Sequence, residues 1–183
     1  MKRTGVTPAA LAPAALSELK DWLGISISAD DAQLTALLRA SLEMCEHFTG
    51  SMPLQQACEE VLGASADWQV LAARPVQAII GVDGLPADGP RFALPVSSYA
   101  VDLAADGTGS VRVSNPGSAG RIAVRFIAGL AATWASLPDG LRHGVLRLAA
   151  FQYRAREDSA APGPLPPAAV AALWRPWRQL RLA

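Results

Sequence analysis

Two helix-length amphipathic stretches, separated by a long run of short strand and turn signals, constrain this 183-residue chain most. The first runs from Ser28 to Thr49 and the second from Ser136 to Glu157. Helices at the two ends of a β-forming segment can share a core only if that segment folds out as an insertion. The expected fold is therefore α+β: a small α-helical bundle with an inserted antiparallel β-rich subdomain and a C-terminal extension. The expected divisions are a loose Ala/Pro/Thr-rich arm at 1–15, a bundle from 16–50 and 136–175, a β-rich insertion at 51–135, and a tail at 176–183. The length suits one domain, or one domain plus an insertion.

Local signals support each helix. Ser17 is placed to cap a short helix, Glu18 to Leu23, which Gly24 ends and whose buried side would be Leu16, Leu19, Trp22 and Leu23. Ser28, three residues before Asp31, resembles a capping box, and Asp30 and Asp31 suit a first helical turn. Leu34, Leu37, Leu38, Cys45 and Phe48 then form one stripe, interrupted by Ser41, whose hydroxyl can bond back to a carbonyl; Gly50 is the stop. Ser136 and Asp139 repeat the capping pattern around Pro138. The following helix is apolar on more than half its circumference through Leu141, Val145, Leu148, Leu146, Ala149 and Ala150, with Gln152 and Tyr153 beside them, which marks a central helix. Gly144 costs that helix about 1 kcal/mol of propensity relative to Ala, so a close helix approach is expected there. Pro166-Pro167 opens a last helix through Trp174, and Pro176 breaks it.

The middle of the chain alternates as strands do. Trp68–Ala73, Val76–Val82, Arg91–Leu94, Ser98–Leu103, Ser110–Val113 and Arg121–Ile127 are strand candidates, separated by Arg74-Pro75, Asp83-Gly84, Asp88-Gly89-Pro90, Asp106-Gly107 and Asn115-Pro116-Gly117. Ile122, Val124 and Phe126 share one face. An antiparallel sheet or small barrel follows. Residues 55–62 fit either a strand or a helical turn.

Chemistry is sparse. The histidines are His47, on the polar side of its helix beside Glu46, and His143, near Arg142; neither belongs to a nucleophile–base motif. Asp30-Asp31 is explained by capping, and the carboxylates of Glu59-Glu60 would point to opposite faces of a strand, so neither pair supports a two-acid mechanism. Gly107-Thr108-Gly109 and Gly117-Ser118-Ala119-Gly120 lack the Lys-Ser/Thr of a phosphate loop and read as hairpin turns. Cys45 and Cys58 form no CxxC or Cys/His cluster. No catalytic, cofactor-binding or metal-binding residue is assigned, and no enzyme activity is expected. The opening Met1-Lys2-Arg3-Thr4-Gly5 lacks a signal-like apolar run, and no stretch reaches the ~18 apolar residues of a membrane span, so a soluble chain made in the cytoplasm is expected.

Charge is low and uneven. Charged residues are 17% of the chain, against about 25% in an average globular protein. Partner-covered surface lowers that figure, and so does an Ala-rich composition. Residues 1–120 carry 7 Lys/Arg against 13 Asp/Glu, a net −6; residues 121–183 carry 9 Arg against 3 acids, a net +6. The halves can neutralise each other within one subunit or meet head to tail between subunits. The basic third also admits a nucleic-acid-binding accessory role, for which its scattered arginines are a thin footprint. The closing run, Leu173-Trp174-Arg175-Pro176-Trp177-Arg178-Gln179-Leu180-Arg181-Leu182, is rich in the residue types that dominate interface hot spots. Trp174 can instead fold back to finish the core; residues 177–182 favour a partner surface.

Several pieces, in order and spacing, carry a resemblance. They are Leu16-Ser-Glu-Leu-Lys20 with Leu23-Gly-Ile, Asp30-Asp-Ala-Gln-Leu-Thr-Ala-Leu-Leu with Glu46-His-Phe-Thr-Gly50, Arg74-Pro75-Val76, Tyr99-Ala-Val-Asp-Leu103, Val124-Arg-Phe-Ile-Ala-Gly129, Leu137-Pro-Asp-Gly-Leu-Arg, Leu148-Ala-Ala-Phe-Gln-Tyr-Arg154, and Leu165-Pro-Pro with Leu173 and Arg178-Gln-Leu-Arg181. Together they resemble the head–tail connector (adaptor) proteins of long-tailed phages and gene transfer agents, the gp6-like/gp8-like family. The Ala/Pro-rich residues 158–164 depart from that pattern, where charged residues are usual, and 51–67 is weakly patterned. The resemblance implies a non-catalytic structural protein that forms a ring, typically a dodecamer, between the portal protein and the stopper or tail proteins. The ring would line a channel that passes DNA without sequence-specific contact, with no membrane partner. It implies host cytoplasm during assembly and then the neck of a virion or phage-like particle. It also implies that Trp174, Arg175, Trp177, Arg178, Leu180, Arg181 and Leu182 reach the portal.

Overall fold

In the computed structural model, residues 11–155 and 165–178 are described. They form two compact units, one from residues 55–129 and one from 11–54 with 130–155 and 165–178. The architecture is α+β, helices in one unit and antiparallel sheets in the other.

The helical unit holds α1 (Pro13–Leu23), α2 (Asp31–Thr49), α3 (Asp139–Ala155) and α4 (Ala168–Trp174). α1 starts at Pro13 rather than after Ser17, because a proline at the first helical position gives up no hydrogen bond. Gly24 ends it in the left-handed conformation at φ 72°. Ala15 and Leu19 are buried, whereas Trp22 is 43% exposed and lies edge-on against His143, with ring centroids 5.1 Å apart. Trp22 is thus an outer residue and not part of the expected buried side.

α2 forms over nearly the expected span, and Leu34, Leu38, Ser41, Cys45 and Thr49 are its buried line. The capping box does not form. Ser28 offers only its carbonyl, to the Asp31 amide at 3.2 Å, and the Asp30 carboxylate accepts the Tyr153 hydroxyl instead of capping. Among the described residues the Ser41 hydroxyl has no hydrogen-bond partner, so the expected back-bond to a carbonyl does not form. Ser136 likewise does not cap α3; its hydroxyl closes a local turn with Thr133, and the Leu141 and Arg142 amides donate to the Pro138 carbonyl.

α3 buries Leu141, Gly144, Val145, Leu146, Leu148, Ala149 and Ala150 and packs on α1, α2 and α4, as a central helix should. Lys20 ties α1 to α2 through Asp31 at 2.7 Å.

The β unit contains β1 (Gln56–Gly63), β2 (Gln69–Val70), β3 (Val76–Pro86), β4 (Phe92–Ala93), β5 (Tyr99–Leu103), β6 (Gly109–Val113) and β7 (Ala119–Ala128). Of residues 55–62, open in the sequence, all but Gln55 belong to the strand β1. One sheet has the order β1-β7-β3-β4 and the other β2-β6-β5, every pairing antiparallel. β7 is central in the first sheet, in register from Gln56↔Ala128 to Gly63↔Arg121 with β1. Ile122, Val124 and Phe126 on β7 are all fully buried, as their shared face requires.

The two adjacent glutamates part as strand geometry demands. Glu59 faces outward and pairs with Arg91 at 2.7 Å; Glu60 is 1% exposed and accepts the Ala72 amide at 2.8 Å. Arg91 also pairs with Asp83 at 2.7 Å, and Arg125 reaches the same carboxylate at 3.3 Å. Both glycine-rich segments are turns: Gly107 (φ 80°) closes β5–β6 and Gly117 (φ 59°) lies between β6 and β7.

Candidate docking site

The C-terminal segment is anchored before it is displayed. Pro167, in extended conformation, precedes α4, whose Val170 and Trp174 are buried. A 3-10 turn at Arg175–Trp177 follows, because Pro176 has no amide to continue the α ladder. Trp174 is fully buried. Its indole lies on Gly144: a Cβ there would stand 2.8 Å from Cδ1 and Cε2, and closer still to Nε1. Trp174 Nε1 donates to the Leu141 carbonyl at 3.3 Å, and Phe48 tilts against the ring at 5.9 Å. The close helix approach expected at Gly144 is therefore the Trp174 indole of α4.

Trp174 is thus packed in the core of its own unit, the alternative that the sequence also offered for it. A fully buried side chain holding a hydrogen bond meets a partner only if the unit opens. The residues after it turn outward: Arg175, Pro176, Trp177 and Arg178 are exposed. Trp177 is 37% exposed, with its Nε1 beside Gly140, and the Arg178 guanidinium lies 5.6 Å over the Phe48 ring. Leu180, Arg181 and Leu182 lie outside the described residues.

A groove adjoins this surface, lined by Glu18, Asp139, Gly140, Arg142, His143, Leu146 and Leu173. In it Arg142 pairs with Asp139 at 2.9 Å and approaches Glu18 at 3.9 Å. The groove was not legible in the sequence, since it joins residues of three helices. One arginine there serves two carboxylates, and the His143 ring lies edge-on against Trp22. His47 is exposed near the end of α2. The nearby Cys45 thiol is pushed up to about 12, mainly by burial and then by the Glu46 charge, so it stays protonated and unreactive. Among the described residues, no group of three or more His, Cys, Asp or Glu could hold a metal ion, and no helix is long and apolar enough to cross a membrane.

The architecture defines a class: a helical unit with an antiparallel β unit between its second and third helices, closed by an anchored Trp/Arg terminus. Solved structures of similar fold exist. The chain is similar to one in the neck of an empty gene transfer agent particle computed with C6 symmetry, at TM-score 0.77 and 25% identity, covering 100% of this chain and 96% of that one. It is similar to a chain in the virion of a native gene transfer agent particle, at 0.74 and 26%, covering 100% and 96%. A chain in the neck of the native particle computed with C12 symmetry gives 0.74 and 26%, covering 98% of each. No protein-family model and no curated protein matches the sequence. The structural neighbours are thus neck components of a phage-like particle, and they support a structural neck role.

Proposed function

We propose that this chain is a head–tail adaptor of the gp6-like/gp8-like kind. In this reading it forms a ring between the portal and the stopper or tail proteins of a phage-like particle, lines the DNA exit channel, and performs no catalysis. It assembles in the host cytoplasm and then resides in the neck. The observation that carries this reading is the match over essentially the whole chain to neck chains of gene transfer agent particles, helical unit, β unit and terminus together. Ring contacts would be heterologous, since a cyclic ring cannot be built from one self-complementary patch.

In this reading Arg175, Trp177, Arg178, Leu180, Arg181 and Leu182 engage the portal, and Trp174 is the peg that holds their base. Two features favour it: the outward turn after Trp174, and the Arg and Trp side chains presented there.

The test is portal capture by the full chain, by a chain truncated after Arg175, and by Trp177→Ala/Arg178→Ala. All keep Trp174, so all should retain wild-type circular dichroism. Capture by the full chain alone is expected. Equal capture by all three removes the terminus from the interface.

A further inference from the structure

β5 is the edge strand of its sheet, paired with β6 from Tyr99↔Val113 to Leu103↔Gly109 without a register shift. The Ala104 amide donates to the Thr108 carbonyl at 2.9 Å across the turn that follows. Bonded pairs alternate along an antiparallel ladder, so Asp102↔Ser110 and Ala100↔Arg112 are the bonded pairs here. Val101 and Leu103 therefore aim their N–H and C=O groups away from β6. Among the described residues those groups have no hydrogen-bond partner. The corresponding groups of β6 are used: the Gly109 carbonyl accepts the Leu71 amide at 2.9 Å, and the Val113 amide donates to the Ser65 carbonyl at 2.7 Å.

The two faces of this edge differ in chemistry. Residues directly opposite in the ladder share a face, so Val101 and Leu103 lie with Val111 and Gly109, and Asp102 lies with Ser110 on the other face. Val111 is fully buried, yet Val101 beside it is 44% exposed and Leu103 is 46% exposed. The buried apolar row thus ends half-covered at the edge. Asp102 is exposed, and among the described residues it forms no ion pair. Free sheet edges are ordinarily blunted by lysine, proline, a bulge or a covering element. Residues 99–103 contain neither lysine nor proline, and no described strand pairs with the far side of β5.

We propose that β5 is a docking edge for an extended segment of another protein in which apolar and basic residues alternate. The segment adds as a strand: its backbone bonds to Val101 and Leu103, and its apolar side chains continue their row. A lysine or arginine of the segment meets Asp102 on the opposite face, so the charge selects the occupant. A second copy is the poorer fit, because pairing β5 with β5 sets two copies of Asp102 on one face, like charge against like. Placing that partner in a neck rests on the reading above; the edge itself does not.

The full chain is titrated with three short synthetic peptides: one alternating valine and lysine, one alternating valine and glutamate, and the first with its strand-bonding amides N-methylated. Only the first is expected to slow hydrogen exchange at the Val101 and Leu103 amides, and to bind roughly tenfold or more tighter than the glutamate peptide. Asp102→Lys, a change at an exposed side chain, should reverse the preference between the two charged peptides. Unprotected Val101 and Leu103 amides, or equal binding of the lysine and glutamate peptides, overturns the docking edge. In assembled particles, the full chain with Leu103→Cys carries a benzophenone maleimide, and the native thiols, Cys45 and Cys58, are buried. Illumination should link it to a different protein, within a segment of alternating apolar and basic residues. No link, or a link to another copy of this chain, overturns the proposed occupant and leaves the neck role standing. Absence of the wild-type chain from particles overturns the neck reading, and the peptide titration alone then decides the edge.

Discussion

Replacing Gly144 by alanine should destabilise the helical unit, against the ordinary trend. In the middle of an exposed helix the change gains about 1 kcal/mol. Here the new methyl would stand 2.8 Å from two Trp174 ring atoms and closer to a third. The ring cannot retreat freely: it is fully buried, bonded to the Leu141 carbonyl and packed by Phe48. Overpacking of this kind costs about 1–3 kcal/mol, and losing the indole hydrogen bond adds about 1 kcal/mol. Setting the propensity gain against these leaves a net loss of about 1–3 kcal/mol. In a Trp174→Ala background, itself costing about 3–5 kcal/mol, the clash is gone and Gly144→Ala should stabilise by about 1 kcal/mol. The sign reversal amounts to a coupling of about 2–4 kcal/mol in a double-mutant cycle. Urea unfolding followed by far-UV circular dichroism reads it, with Trp174→Leu as the background if Trp174→Ala does not fold. The same stabilisation by Gly144→Ala in both backgrounds would refute the packing argument.

Ser41→Ala should stabilise the helical unit by about 1 kcal/mol, because it removes a buried hydroxyl that has no partner and adds a better helix former; a lower urea midpoint would mean that the hydroxyl is satisfied. Cys45 should resist thiol reagents at pH 8 in the folded chain and react quickly in urea, and fast native labelling would contradict its burial. Its folded-state value, about 12 against the usual 9.0, favours the folded state below pH 9, and that contribution should fall away between pH 9 and 12 as the unfolded thiol ionises first. Gly107→Ala should destabilise the β unit by about 1–3 kcal/mol, since the residue sits at φ 80° and a Cβ would lie 2.9 Å from the Pro75 Cα; an unchanged melting temperature would refute it.

Periodicity made much of the fold legible. The stripe Leu34–Leu38–Cys45 and the apolar circumference of α3 have no reading but helices sharing a core, and Ile122–Val124–Phe126 has none but one face of a strand. The helix starts were misread because Ser17, Ser28 and Ser136 have the right chemistry at the wrong place. A proline began α1 without a cap, Asp30 was drawn to Tyr153, and Ser136 was used by Thr133. Each is a tertiary or local bond that a single sequence does not display. β1 was ambiguous because Glu60 stands in its buried row, acceptable only through the Ala72 amide contributed from outside the strand. Trp174 and Trp177 look alike in sequence, three residues apart. Gly144, far off along the chain, takes in one ring, and Pro176 turns the other outward. Nothing short of the packing of α3 on α4 distinguishes them.

The most direct test of the neck assignment is a focused cryo-EM reconstruction of the neck of particles assembled with this chain. The account predicts a closed ring of this chain with Trp174 inside its own helical unit and Arg175, Trp177 and Arg178 covered by a different subunit. A neck without this chain, or a ring in which those three side chains face open solvent, would contradict it.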